Sequence, residues 1–174
     1  MPLTKIQSLG ITDGTIAAAD IASGAITAAK LAAGVGGKVL QVVSSSVTVN
    51  DTTTSDTFQT SSLSASITPS STSNKVFVIV SSRAGCSIGD RGPRYAIFRG
   101  STNITGSTST EGMSVFQANG QTIQPLSITV LDSPSTTSST TYSLRWRAQD
   151  GTSETNYCNS ATGKSTITLL EIAG

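Results

Sequence analysis

The sequence predicts a mainly β protein, a C-terminal antiparallel jelly-roll sandwich of 8–9 strands behind an N-terminal repeat shaft that assembles with copies of itself. Three observations predict it. Short Val/Ile/Leu-rich runs recur between turn signals after residue 37, and none there reads as a convincing helix. Ser and Thr make up about a third of the chain, while charged residues are 12%, against roughly 25% in ordinary soluble domains. Hydroxyl-rich surfaces suit β-structure, where Thr is favoured. Before residue 37 the pattern changes to a repeat.

That repeat runs from Gly10 to Gly36, with apolar anchors Ile11, Ile16, Ile21, Ile26 and Leu31. Gly14, Gly24 and Gly34 punctuate it at a ten-residue interval. A five-residue step advances an α-helix by about 140° beyond a full turn, scattering the anchors around its circumference. In a strand an odd step alternates faces. A chain that winds and bends at each Gly can present the anchors to identical chains, so the segment reads as a short assembly shaft. A helical reading of AAADIAS and ITAAKLAAG fits their composition but leaves the ten-residue spacing unexplained.

The chain therefore divides into an arm and shaft over 1–37 and a sandwich over 38–174, with GVGG (34–37) as the hinge. Expected strands are Lys38–Val49, Thr57–Thr68, Lys75–Ser82, Arg94–Arg99, Gly112–Gln117, Thr122–Leu131, Thr141–Gln149, a short one around Tyr157, and Ser165–Ala173. KVFVIVSS is apolar on both faces and is expected to be central. Asn50–Ser55 and Pro69–Asn74 read as turns, Arg83–Pro93 and Gly100–Glu111 as loops, and Asn119-Gly120 as a hairpin turn. Tyr142, Leu144 and Trp146 share one face of their strand, which places Trp146 in the core.

Net charge is +1, so no general field favours nucleic acid or an acidic membrane. Met1–Gly10 has neither the charge nor the apolar centre of a secretion signal, and no apolar run is long enough for a membrane helix. A reducing compartment is thus expected for Cys86 and Cys158. With no His and two distant Cys, no metal or cofactor is expected. No nucleophile has an identifiable activator, and Asp90, Asp132, Asp150 and Glu154 lie in predicted turns with nothing to pair them, so no enzymatic activity is expected.

Two groups of residues are candidates for recognition. The loop RAGCSIGDRGP offers Ser87, Asp90, Arg91 and Arg94 as a surface-binding tip, because loops on a rigid scaffold carry binding. Arg145 and Arg147 share the strand face opposite Trp146 and are candidates for an intersubunit role. Against both stands the plainer expectation that the arginines form solvated or interfacial ion pairs with acids such as Asp132.

The segment DGTIAAADIASGAITAAKLAAG resembles the short repeats in shafts of bacteriophage tail fibres. The pieces GKVLQVV, SASITPSSTSNKVFVIV, YAIFRGST, VLDSPSTTSSTTYSLRWRAQDG and STITLLEIAG, in that order, resemble a recurrent C-terminal module of phage fibres and virion appendages. The resemblance implies a trimeric jelly-roll head of the tumour-necrosis-factor and C1q type on an intertwined stalk. It implies a virion protein, assembled in the bacterial cytoplasm, that attaches to other virion proteins by its N-terminal arm and contacts a host-surface glycan. It assigns no catalytic or ligand residue. The short shaft also fits a head fibre or cement protein on the capsid. A non-viral C1q-like module would be expected to carry a signal peptide and a Gly-X-Y stalk.

Overall fold

Regular alternation of buried and exposed residues requires an extended backbone, since successive side chains of a strand point to opposite faces. A computed structural model describes residues 15–27, 30, 38–87, 92–106, 112–114, 122–149, 155–159 and 161–174. The chain divides between Lys38 and Val39 into two units, each described by itself.

In the N-terminal unit the five-residue spacing is expressed as tight turns. The Asp20 N–H donates to the Ala17 carbonyl, Ala25 to Ala22 and Lys30 to Thr27, each at 2.9 Å. Donors and acceptors both advance by five. Asp20 braces the first turn, a single 3₁₀ turn over Ala18–Asp20, by accepting the Ala17 N–H at 2.9 Å. Lys30 Nζ donates to the Ala25 carbonyl at 3.0 Å. Gly24, at φ +77°, fills the third position of the 22–25 turn, where a type II turn needs left-handed backbone. The helix formers around Ala17–Asp20 thus yield one 3₁₀ turn and no α-helix among the described residues. Ile16, Ile21 and Ile26 are left 55%, 40% and 53% exposed in the single chain. Ile11 and Leu31 lie outside the described residues.

The second unit is mainly β and antiparallel throughout. Its strands are β1 (Val39–Val47), β2 (Asn50–Thr53), β3 (Gln59–Ile67), β4 (Lys75–Cys86), β5 (Arg94–Arg99), β6 (Thr102–Asn103), β7 (Met113–Ser114), β8 (Thr122–Asp132), β9 (Thr140–Arg147), β10 (Asn156–Asn159) and β11 (Ser165–Ile172). In sheet A, β8 pairs along one edge of β4 from Val76 to Cys86. The other edge of β4 is shared, with β11 along Lys75–Ser81 and β10 along Ala84–Cys86. Beyond these lie β1, paired to β11, and β2, paired to β10. Sheet B has the order β3-β9-β5, with β6 and β7 sharing the far edge of β5.

The inner faces of the two sheets share one core. Leu63, Ala65 and Ile67 of β3, Tyr95 and Ile97 of β5, and Tyr142, Leu144 and Trp146 of β9 meet Val76, Val78 and Val80 of β4, Leu126 and Ile128 of β8, and Ile167 and Leu169 of β11. Trp146 is in the core as expected, its indole N–H donating to the Asn156 carbonyl at 3.3 Å. Tyr95 pins the sheets together across this core. Its hydroxyl donates to the Tyr157 carbonyl at 2.6 Å and accepts the Gly85 N–H at 2.9 Å, and burial pushes its pKa well above the ordinary tyrosine range. Tyr95→Phe would leave a buried carbonyl and amide without their partner. It should lower unfolding free energy by about 1–3 kcal/mol, read from the urea midpoint.

Three expectations need correction. Asn50–Ser55 is not simply a turn, because its first residues form β2. There the Asp51 carboxylate accepts the Ser62 N–H at 2.7 Å, the Ser62 hydroxyl at 2.8 Å and Asn159 Nδ2 at 2.7 Å. Long-range bonds of this kind override local turn preference. The loop expected from Arg83 starts later, because Arg83–Cys86 continue β4 to supply the edge on which β10 pairs. The loop expected over Gly100–Glu111 contains β6, which folds directly back on Phe98 and Arg99. Of the strand expected over Gly112–Gln117, Met113–Ser114 form β7. Gly112 lies so close to the sheet that an added Cβ would meet the Tyr95 carbonyl oxygen at 2.6 Å and Phe58 Cζ at 3.1 Å.

Candidate functional site

A sandwich leaves two outer faces, and here they differ in chemistry. On sheet A the register aligns Val42 of β1, Leu170 of β11, Phe77 of β4 and Leu131 of β8 in one row. The inward positions of these strands are Val43, Val47, Leu169, Val78 and Ile128, so this row points outward. Val42 is 60% and Leu131 53% exposed, and Phe77 and Leu170 are half-buried between them. The next row is Ser44, Thr168, Ile79 and Thr129, and the one after it Ser46, Thr166, Ser81 and Ser127. The face therefore grades from apolar to hydroxyl-lined. The apolar end is the one at which Val39 follows Lys38, with Val39 opposite Ile172. Large contiguous apolar patches are rare on soluble monomers, which makes this row the candidate interaction surface of the sandwich.

The outer face of sheet B carries arginines. Arg94 of β5 lies directly opposite Arg147 of β9, and Arg145 opposite Ala96 is the next outward position on β9. Arg145 lies over the Phe98 ring, 4.4 Å from its centroid, and donates through Nη2 to the Gly100 carbonyl at 2.7 Å. Arg147 lies over Phe58 at 5.8 Å, and its Nη1 donates to the Asp56, Ala148 and Gln149 carbonyls. The Phe58 and Phe98 centroids are 5.2 Å apart. Each guanidinium thus lies within cation–π distance of an aromatic ring.

These placements separate the residues singled out from sequence. Arg145 and Arg147 share the face opposite Trp146 as their alternation required, and both bond within their own chain. Ser87 is clamped to Thr155: its N–H donates to the Thr155 carbonyl at 2.9 Å, and its hydroxyl accepts the Thr155 N–H at 3.0 Å. Asp90 and Arg91 lie outside the described residues. Arg94 belongs to the sheet B face. Arg99 forms an ion pair with Asp132 at 2.8 Å, and the Tyr142 hydroxyl donates to the same carboxylate at 2.7 Å.

The sheet A row was not singled out from sequence. Its signal was present in the out-of-phase apolar residues Val42, Phe77, Leu131 and Leu170, and the two-faced apolarity of KVFVIVSS read instead as burial of a central strand. Cys86 and Cys158 are both buried and not joined in a disulfide; they lie on adjacent strands, opposite Asn156 and Ala84 respectively. Burial pushes the Cys158 thiol far above its usual pKa, which leaves it inert as a nucleophile. Among the described residues no three His, Cys, Asp or Glu side chains cluster as a metal would require, and no helix is long and apolar enough to cross a membrane. The chain matches no protein-family model, and no curated protein resembles it significantly.

Proposed function

We propose that the chain is a homotrimeric bacteriophage virion protein, a short tail or neck fibre that attaches to the particle through its N-terminal arm and contributes to host-surface adhesion. The observation that carries the self-assembly is the outward apolar row Val42–Leu170–Phe77–Leu131. Burying such side chains contributes about 1.5–3 kcal/mol each, which a lone chain forgoes. The exposed Ile16, Ile21 and Ile26, each one turn apart, supply a second unpartnered apolar series. Three-fold stoichiometry and the virion setting rest on the resemblance of the repeat and of the ordered segments after it.

Strand order supports reading the sandwich as a jelly roll. With β2, β7 and β10 set aside and the two-residue β6 kept, sheet A runs first-eighth-third-sixth and sheet B second-seventh-fourth-fifth. That is the order of two nested Greek keys. In this reading sheet A faces the trimer axis and sheet B faces outward. Many weak contacts, repeated across three chains and several fibres, would raise adhesion by about 10²–10⁴ over one contact.

Immunogold labelling of intact virions tests the assignment. Label at the tail or neck is expected. Label spread over the capsid would favour the decoration role instead, and virions free of label would refute the virion reading.

A further inference from the structure

We propose that copies of this chain join edge to edge, β1 of one pairing antiparallel with β8 of the next, so that Val42 lies beside Leu131 of that next copy. The inference deepens the self-assembly proposed above and rests on it.

Unused backbone is the first support. Among the described residues β1 has β11 as its only strand partner and β8 has β4, so sheet A ends in two open edges. The nine residues of β1 include no charge, and the one acid among the eleven of β8, Asp132, is tied to Arg99. Long uncharged edges are the kind that sheets otherwise blunt or cover. Pro125 identifies which groups of β8 are open. The ladder to β4 runs unbroken from Val76 to Cys86, and a proline is tolerated within it only with its nitrogen turned away from β4. Backbone groups alternate between the two edges of a strand, so Ser127, Thr129 and Leu131 also turn their N–H and C=O to the open side.

Direction and side chains supply the second support. The strands β1, β11, β4 and β8 alternate in direction, which sets β8 opposite to β1. Rotating a copy about an axis along the strands therefore brings its β1 to β8 in the antiparallel sense, and a closed ring leaves no edge of this sheet open. The two ends of the apolar row, Val42 on β1 and Leu131 on β8, are its most exposed members at 60% and 53%. Pairing in this register makes the row continuous from copy to copy and covers both.

The third support is width. At the apolar end sheet A is four strands wide, β1-β11-β4-β8. At about 4.8 Å per strand each wall of a ring spans about 19 Å, and three such walls stand about 5.5 Å from their common axis. Sheets packed face to face are about 10 Å apart, which is about 5 Å from each to the midplane. Three walls thus bring the outward side chains together at the axis, whereas four would stand about 10 Å from it and enclose a channel.

The test is a disulfide between copies. Val42→Cys and Leu131→Cys are made singly and together in the full chain, oxidised mildly and run under denaturing, non-reducing conditions, with native mass measured before oxidation. Within one chain the two positions are three strand spacings apart, about 14 Å, which is beyond disulfide reach. Cys86 and Cys158 are fully buried and stay out of the reaction. The double variant should run as a covalent trimer and each single variant as one chain. In the unsubstituted protein the amides of Ser127, Thr129 and Leu131 should be protected from hydrogen exchange. A trimer by native mass that forms no covalent link, or whose three amides exchange freely, overturns this inference alone. A linked dimer from Leu131→Cys by itself would place β8 against β8 and overturn it as well. A monomer by native mass overturns the reading beneath it too.

Discussion

Replacing both Val42 and Leu131 by Asp is expected to split the proposed trimer into folded monomers at micromolar concentration. Both side chains are more than half exposed in the single chain, so the substitutions remove little intrachain packing. Surface changes of this kind usually alter monomer stability by about 0.5 kcal/mol or less. In the proposed trimer, however, they would place two carboxylates per chain in an apolar interface, each costing several kcal/mol in lost hydration. Sedimentation should show the monomer, and circular dichroism should show retained strand content. An unchanged trimer would move the interface off sheet A.

The second large effect concerns Glu171, an acid buried in the inner face of β11. One oxygen, Oε1, accepts the Ser70 N–H at 2.6 Å, the Ser70 hydroxyl at 2.7 Å and Asn74 Nδ2 at 2.6 Å. The carboxylate thereby fixes the Pro69–Asn74 turn that joins the two sheets. Asn74 also accepts the N–H of Gly174 at 3.2 Å, which ties the last residue to the same turn. Burial by itself would raise the Glu171 pKa, but the three donors outweigh it and hold the carboxyl below its ordinary value. A depressed folded-state pKa contributes stability above the ordinary carboxylate pKa, and that contribution is lost as pH falls through the folded value. Acid unfolding should therefore steepen below the ordinary glutamate range. Glu171→Ala would strand buried donors and should cost about 2–4 kcal/mol at neutral pH. Glu171→Gln should cost less and lose that part of the acid dependence, which chemical unfolding at a series of pH values would show.

Much of the sandwich was legible because its strands carry their own pattern. Arg94–Arg99 forms a strand over the expected span, and Thr141–Gln149 points Tyr142, Leu144 and Trp146 inward as alternation requires. What sequence missed depends on distant partners. Asn50–Thr53 looks like a polar turn until Asp51 meets Ser62 and Asn159. Arg83–Cys86 looks like loop because Gly85 and its small neighbours lack strand character, yet β10 needs that edge. The shaft illustrates the same limit: its five-residue period was plain, but its local form as successive turns was not, since Gly marks only every second turn. The outer-face chemistry was the least legible part. Alternation tells which residues share a face of one strand, whereas the apolar row and the Arg94–Arg147 opposition arise only from the register between strands.

We propose that this chain works as three copies of itself. Native mass measurement of the 174-residue chain at neutral pH decides the matter. A single species at three times the mass of one chain is predicted, and a stable monomer at micromolar concentration would contradict it.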